Sequence, residues 1–198
     1  MSDITIDPGA ITTFADGDPD ENPWVLGAPQ PEVLQVVAWS PLWSDQFENE
    51  RARLQAALSG LVLGIEHVGS TAVPGLPAKP VLDIDLLLAA PADEAAYVPR
   101  LQALGYVLTV REPSWYQHRM LRLDEPRVNL HVFAPDCAEH IRHRLFRDWL
   151  RSHEDDRLRY AQAKQAALQG NDNAQAYNRS KQDVVRSIYS RLFAARGW

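Results

Sequence analysis

The stretch from Glu66 to Asp85 decides the fold, and it reads EHVGSTAVPGLPAKPVLDID. It joins two short apolar segments, residues 62–68 and residues 80–89, through a loop that contains glycine and proline. Both segments are rich in Val, Ile and Leu, as β-strands often are. The second is almost continuously aliphatic, which is typical of a central strand covered on both faces. The stretch therefore predicts two neighbouring strands joined by a tight loop.

Two carboxylates interrupt the second strand. Asp83 and Asp85 are two residues apart, so their side chains share a face, with Cα atoms about 6–7 Å apart. Carboxylates this close in an apolar segment repel each other and lose hydration, and a divalent cation such as Mg²⁺ would relieve both effects. The pair therefore indicates a metal site, although an acid pair on the wetter face of a strand explains the same pattern.

The loop between the two strands has the composition of a phosphate-binding turn. Gly69 lets backbone N–H groups approach an anion, and the hydroxyls of Ser70 and Thr71 add donors. Lys79 is the only basic residue between residues 53 and 100, so it could neutralise a phosphate beside the carboxylates. An ordinary turn and a salt bridge from Lys79 to a nearby aspartate explain these residues equally well.

The rest of the pattern predicts an α/β (α+β) domain, a mixed β-sheet flanked by helices with a helical C-terminal part. Strands are expected at residues 33–39, 62–68, 80–89, 106–111, 117–123 and 128–133. Helices are expected from Ser40-Pro41 to Gly60 and at residues 92–104, 138–151, 155–169 and 173–195. The predicted domain covers residues 34–198, with the α/β core in residues 34–136 and the helical part in residues 137–198.

Residues 1–33 differ in composition from the rest of the chain. They hold seven of the 26 acidic residues, no Lys or Arg, and five prolines, so they account for the net charge of −6. Proline without hydrophobic periodicity, combined with charge of one sign, predicts an irregular extension outside the core. Residues 24–26 are its candidate docking point, and the acidic extension could pack on the basic C-terminal helices.

The composition also limits the class of protein. The chain has 198 residues and one cysteine, Cys137, which excludes an internal disulfide framework and favours a cytoplasmic location. No apolar run approaches the roughly 18 residues of a membrane span, so no membrane partner is expected. The basic residues are dispersed among acids, which disfavours a nucleic acid as partner.

The C-terminal part repeats one spacing that suits anion binding. Tyr160 and Lys164 are four residues apart, as are Tyr177 and Lys181, so each pair shares a helix face. Together with Arg147 and Arg151, also four apart, they are candidates to bind the phosphates of a nucleoside triphosphate or an anionic acceptor. Ion pairs on helix surfaces, such as those to Asp148, are the alternative.

Two further histidines are predicted to have no role in a site. His140 and His143 are three residues apart on a predicted helix. No acid or cysteine stands at a matching spacing, so we expect both side chains to face solvent.

The string from His67 to Asp85 resembles the signature of the GrpB family, also called UPF0157. Further blocks resemble the same family, at residues 37–43, 104–106, 130–132 and 146–151. The Gly-Ser turn followed by Asp-Ile-Asp resembles the wider nucleotidyltransferase (polymerase-β-like) superfamily. The resemblance implies a nucleotidyltransferase-like fold in which Asp83 and Asp85 hold Mg²⁺ or Mn²⁺. It also implies that Gly69 and Ser70 cradle the departing pyrophosphate.

The chain departs from the superfamily pattern at one position. The resemblance implies a third carboxylate on a later strand, and the corresponding position here is His131. A neutral imidazole can act as a general base, or bind a metal softer than Mg²⁺. With His67 beside the turn, it could complete a Mn²⁺ or Zn²⁺ site.

Three functions are therefore expected as alternatives. The first is a metal-dependent nucleotidyltransferase that moves a nucleoside monophosphate from NTP to a small-molecule, coenzyme or protein acceptor, with Asp83, Asp85 and His131 as catalytic residues. The second is a catalytically inactive module that binds a nucleotide or phosphate ligand with the same residues. The third is an interaction protein that uses the C-terminal helices and the acidic extension. The oligomeric state is not indicated.

Overall fold

The computed structural model describes residues 7–28, 35–168 and 179–198. Its centre is a five-stranded mixed sheet in the order β1-β2-β5-β4-β3. The strands are β1 (Val62–Val68), β2 (Leu82–Leu88), β3 (Val107–Glu112), β4 (His118–Leu123) and β5 (Val128–Phe133). The helices are α1 (Pro8–Thr12), α2 (Leu42–Ala57), α3 (Glu94–Gln102), α4 (Ala138–Ser152), α5 (Glu154–Leu168) and α6 (Gln182–Ala195). The predicted fold class is confirmed.

The pairing of β2 places the site residues side by side. This strand runs antiparallel to β1 and parallel to β5. Asp83 stands opposite Val68 on one side and Asn129 on the other, while Asp85 stands between Glu66 and His131. Residues opposite each other in a sheet share a face, so the Asp83–Asp85 pair and His131 lie on one face, as the sequence predicts.

The two faces of β2 differ in chemistry because side chains alternate along a strand. Leu82, Ile84, Leu86 and Leu88 point to one face and join the main hydrophobic core, in which α2 and α3 also take part. Asp83, Asp85 and Leu87 point to the other face, where the histidines of α4 reach Asp85. The strand is covered on both faces as predicted, but one cover is aliphatic and the other is polar.

Some element boundaries differ from the prediction. The strand expected at residues 33–39 is reduced to an isolated bridge between Val37 and Ala78, and its first two residues lie outside the described ranges. Pro99 lies inside α3 without ending it. The last helix is described from Gln182 onward. No helix in the described part of the chain is long and apolar enough to cross a membrane.

The N-terminal extension packs against the domain over its described residues 7–28, contrary to our expectation. Ile11 is buried in a cluster with residues of α4 and α6. The fully buried guanidinium of Arg142 donates hydrogen bonds to the carbonyl oxygens of Ala10, Ile11 and Thr13, at 3.0–3.3 Å. Composition missed this docking because it depends on single apolar anchors and on backbone carbonyls rather than on hydrophobic periodicity.

The predicted docking point of the extension lies at the edge of the sheet. Trp24 forms a bridge to Val110 of β3, and the N–H of Val25 donates to the carbonyl oxygen of Thr109 at 3.1 Å. The extension therefore covers the edge strand β3, which would otherwise present unpaired backbone groups to solvent.

Candidate functional site

The glycine of the turn is required by its contact with Asp83. Gly69 has a φ of +68°, a conformation that side chains with a Cβ rarely adopt. A Cβ at this position would also collide with the Oδ2 atom of Asp83. The backbone of the turn therefore lies directly against Asp83, which confirms that the Gly-Ser turn and the carboxylate strand meet.

The two hydroxyls of the turn have different surroundings. Thr71 is 1% exposed, and its Oγ1 donates to the carbonyl oxygen of Val81 at 3.2 Å and lies 3.0 Å from Nε2 of His67. These internal contacts fix the loop and leave Thr71 without a side-chain donor for a ligand. Ser70 is half-buried, so its hydroxyl is the better placed of the two for binding a phosphate.

His67 does not reach the carboxylate pair. It stands opposite Ile84 on β2 and therefore on the core face of the sheet. Its ring stacks on Phe47 at 4.7 Å between centroids, and burial lowers the pKa of His67 to about 4. We therefore leave His67 out of the candidate metal ligands.

Asp85 is a buried anchor for helix α4. It is 0% exposed, and its carboxylate accepts hydrogen bonds from Nδ1 of His140 at 2.9 Å and Nδ1 of His143 at 3.1 Å. The expectation that these two histidines face solvent is wrong, since His140 is 1% exposed and both turn toward Asp85. The acid that they share, Asp85, is more than 50 residues away in the chain, so no local spacing could reveal it. The second acid beside His143, Glu139, stands four residues before it, a spacing that the sequence does show.

The contact between Asp85 and α4 is an ion pair. Burial opposes the charged form, but His143 and His140 hold the pKa of Asp85 well below its usual range. Burial likewise opposes a charge on His143, yet Asp85 and Glu139 raise the pKa of that imidazole well above its usual value. His143 Nε2 lies 3.5 Å from a carboxylate oxygen of Glu139, so the imidazolium is held between two acids.

Asp83 is the more accessible of the two carboxylates. Its side chain is 33% exposed, against 0% for Asp85. Asn129 Nδ2 donates to its Oδ1 at 3.0 Å, and Nε2 of His131 lies 3.9 Å from the same oxygen. Burial works against ionisation, but His131 in its protonated form, Asn129 and Lys79 lower the pKa of Asp83. Asp83 is therefore the carboxylate that a ligand can reach.

The three lysines of the chain lie near one another, and Lys79 and Lys164 lie near Asp83. Lysine supplies only three of the 20 basic residues, and Lys79 and Lys181 are both close enough to shift the pKa of Lys164. Lys181 Nζ lies 3.3 Å from the hydroxyl of Tyr160, and Lys164 Nζ lies 5.1 Å from the centroid of the same ring. We call Lys79, Lys164, Lys181 and Tyr160 the lysine cluster. Tyr177, the fourth member of the predicted Tyr–Lys set, lies outside the described residues.

Lys164 is the most unusual member of the lysine cluster. The residue is 1% exposed, and in the described part of the chain its Nζ makes no hydrogen bond. Burial, followed by repulsion from Lys181, lowers the pKa of Lys164 to about 7, while Asp83 acts in the opposite direction. A buried amine without a partner is energetically costly, and it points to a ligand.

Arg147 and Arg151 support the turn from behind. Arg147 donates to Glu66 at 2.8 Å and to the carbonyl oxygen of His67 at 2.9 Å, while Arg151 donates to the carbonyl oxygen of Ala72 at 2.7 and 2.9 Å. Both also pair with Asp148, which confirms the ion-pair alternative. Both arginines line a separate cavity of about 360 Å³. Their contacts in the described residues do not support the predicted contact with phosphate.

The described residues do not fit the two-cation centre that the superfamily resemblance implies. No group of three or more His, Cys, Asp or Glu side chains in the described ranges is placed to hold a metal ion. Both oxygens of Asp85 accept hydrogen bonds from histidines of α4. The nitrogens that face Asp85 carry hydrogens and therefore offer no lone pair to a metal ion. Only Asp83 keeps an accessible oxygen, and a single carboxylate is not a two-metal site.

The different roles of the two aspartates predict different costs of substitution. Asp85→Asn should lower the free energy of unfolding by about 3 kcal/mol, because it removes the buried charge of the ion pair and leaves the imidazolium of His143 with Glu139 alone. Asp83→Asn, the matched control on the same strand, should cost about 1 kcal/mol or less because its surroundings are partly hydrated. Urea denaturation at neutral pH measures both. Equal losses would contradict the assignment of Asp85 as the anchor.

Comparisons with known proteins agree with this architecture. A UPF0157 protein of Halalkalibacterium halodurans is 40% identical over 167 residues, which is 84% of this chain and 86% of the relative. A UPF0157 protein of Streptomyces coelicolor is 37% identical over 173 residues, covering 87% of this chain and 91% of the relative. A dephospho-CoA kinase of Mycolicibacterium paratuberculosis is 30% identical over 195 residues, covering 83% of this chain and 48% of that protein.

A solved structure and a family model extend the agreement to the whole domain. The crystal structure of the conserved protein GrpB from Enterococcus faecalis matches with a TM-score of 0.71 and 26% identity, covering 83% of this chain and all of that one. The model of the GrpB protein family matches residues 33–191, which include both aspartates and the lysine cluster. The chain therefore belongs to the GrpB family.

Proposed function

We propose that the protein binds a nucleotide, with its phosphates held by the lysine cluster between the Gly69-Ser70 turn and helices α5 and α6. The observation that carries this proposal is the buried amine of Lys164, which makes no hydrogen bond in the described part of the chain. A phosphate oxygen would supply the missing acceptor and the opposite charge.

The charge balance around Lys164 favours an anionic ligand. Asp83 favours the charged form of Lys164, but its carboxylate already accepts a hydrogen bond from Asn129. Lysine acts on phosphate as a compact point charge, and the arginines are used elsewhere, for example on the carbonyls behind the turn. Several positive charges in one place suit a di- or triphosphate better than a single carboxylate.

Transfer of a nucleoside monophosphate is the second candidate function. The observation that favours it is the position of His131 next to Asp83, at the edge of the lysine cluster. The relative named dephospho-CoA kinase is named for a phosphorylated coenzyme, which supports a coenzyme among the small-molecule and protein acceptors. Incubation with labelled ATP and cell extract tests transfer, and a signal that persists in Asp83→Asn would place the activity elsewhere.

Mg²⁺ or Mn²⁺ stays a prediction that is separate from phosphate binding. Binding of phosphate by the lysine cluster does not require a bound cation. Measuring ATP affinity with and without added Mg²⁺ would show whether a cation contributes.

Lys164→Met should abolish most of the affinity for ATP while leaving the fold intact. Loss of a charge-assisted hydrogen bond of about 1.5–3 kcal/mol raises the dissociation constant about 10- to 100-fold. Isothermal titration calorimetry with ATP, and with pyrophosphate as a smaller probe, measures the change. Arg159→Met is the matched control, because Arg159 is an exposed cation on the same helix. Equal affinities of Lys164→Met and the parent would overturn the proposal.

The same variant should be more stable than its parent, with a defined pH dependence. The pKa of Lys164 falls from 10.5 to about 7 on folding, so between these values the unfolded chain binds the extra proton and folding is penalised. The gain of Lys164→Met, about 1–3 kcal/mol, should therefore be fully present below about pH 7 and shrink as the pH rises toward 10.5. Urea denaturation across this range, without ligand, measures it.

A further inference from the structure

Three polar side chains form a hydrogen-bonded chain that ends at Asp83. Glu112, His118 and His131 lie on β3, β4 and β5, on the face of the sheet that carries Asp83. Glu112 Oε2 lies 2.7 Å from Nδ1 of His118, and His118 Nε2 lies 3.0 Å from Nδ1 of His131. Glu112 and His118 had no place in the site predicted from the sequence.

The direction of the hydrogen bonds in this chain follows from its first member. An ionised carboxylate only accepts, so Nδ1 of His118 carries a hydrogen and donates it to Glu112. Burial lowers the pKa of His118 to about 4, so the ring is neutral and carries one hydrogen. Its Nε2 therefore accepts from Nδ1 of His131, and the neutral form of His131 then has its lone pair on Nε2.

That lone pair faces a second acceptor. His131 Nε2 lies 3.9 Å from Oδ1 of Asp83, which is too long for a hydrogen bond. Two acceptors side by side need two donors, and a pair of neighbouring hydroxyl groups supplies one hydrogen to each. The charge of Lys79 also lowers the pKa of Asp83, so this acceptor pair lies next to the proposed phosphate-binding groups.

We propose that Glu112 and His118 are positioning residues that hold the Nε2 lone pair of His131 toward Asp83. The pair Asp83–His131 then accepts one hydrogen bond from each of the two ribose hydroxyls of the nucleotide whose phosphates the lysine cluster binds. The ribose is the hydroxyl-bearing group nearest the phosphates in such a ligand. This inference rests on the proposed function for the identity of the ligand, whereas the geometry of the three-residue chain stands without it.

The tautomer of His131 tests the positioning role without any ligand. Long-range ¹H–¹⁵N NMR at about pH 8, where ordinary imidazoles are neutral, should show His131 with its hydrogen on Nδ1. Glu112→Leu removes the acceptor opposite His118, so His118 should lose its preferred tautomer and the hydrogen of His131 should become distributed over Nδ1 and Nε2. Glu139→Gln is the matched control, since it removes a carboxylate from a different histidine, and His131 should keep its parent tautomer.

Two results would overturn the positioning role. One is a parent protein in which His131 carries its hydrogen on Nε2, and the other is an unchanged tautomer in a folded Glu112→Leu variant. Should that variant fail to fold, the tautomer of the parent decides the question by itself.

Adding ATP to the same samples tests the hydroxyls. ATP should shift the Nε2 signal of His131 in the parent, and dideoxy-ATP, which lacks both ribose hydroxyls, should shift it much less. Equal shifts from the two nucleotides would overturn the ribose assignment. Failure of both nucleotides to bind would instead refute the proposed function, and the tautomer would still report on Glu112 and His118.

Discussion

The contact of buried Asp85 with His140 and His143 is the interaction on which the rest of the structure depends. It fixes helix α4 over the polar face of the sheet. Once α4 is fixed, Arg142 reaches the carbonyl oxygens of the N-terminal extension. Arg147 and Arg151 reach the carbonyl oxygens of His67 and Ala72, which flank the Gly69-Ser70 turn. A single carboxylate in the most apolar strand thus sets the position of the extension and of the turn.

This arrangement separates two aspartates that look equivalent in the sequence. Asp85 is buried in an internal ion pair. The side chain of Asp83 is partly exposed, and it lies near lysines, the Gly69-Ser70 turn and His131. The separation removes the second carboxylate that a two-cation centre needs. What the fold keeps is a set of anion-binding groups beside one accessible acid, and this set favours binding of a phosphate ligand.

Individual strands and the turn were predictable from the sequence, whereas contacts between residues far apart in the chain were not. Periodicity and composition correctly placed β1 and β5 and the Gly69 turn against Asp83, and the family resemblance placed His131 beside the carboxylates. The spacing of tyrosine and lysine predicted the partners Tyr160, Lys164 and Lys181. By contrast, the roles of His140, His143 and His118 depend on contacts with residues on other strands or helices, which spacing along one element cannot show. The docking of the extension was missed for the same reason, because Arg142 meets it through backbone carbonyls.

In the proposed function, the buried amine of Lys164 binds an anionic ligand. The most direct measurement is an NMR titration of the lysine side-chain signals, which are few because the chain has only three lysines. We expect Lys164 to titrate with a pKa near 7 in the free protein. Saturating pyrophosphate should raise that pKa, because the charged form of the amine gains a partner. A pKa for Lys164 that does not move on saturation with pyrophosphate would contradict the account.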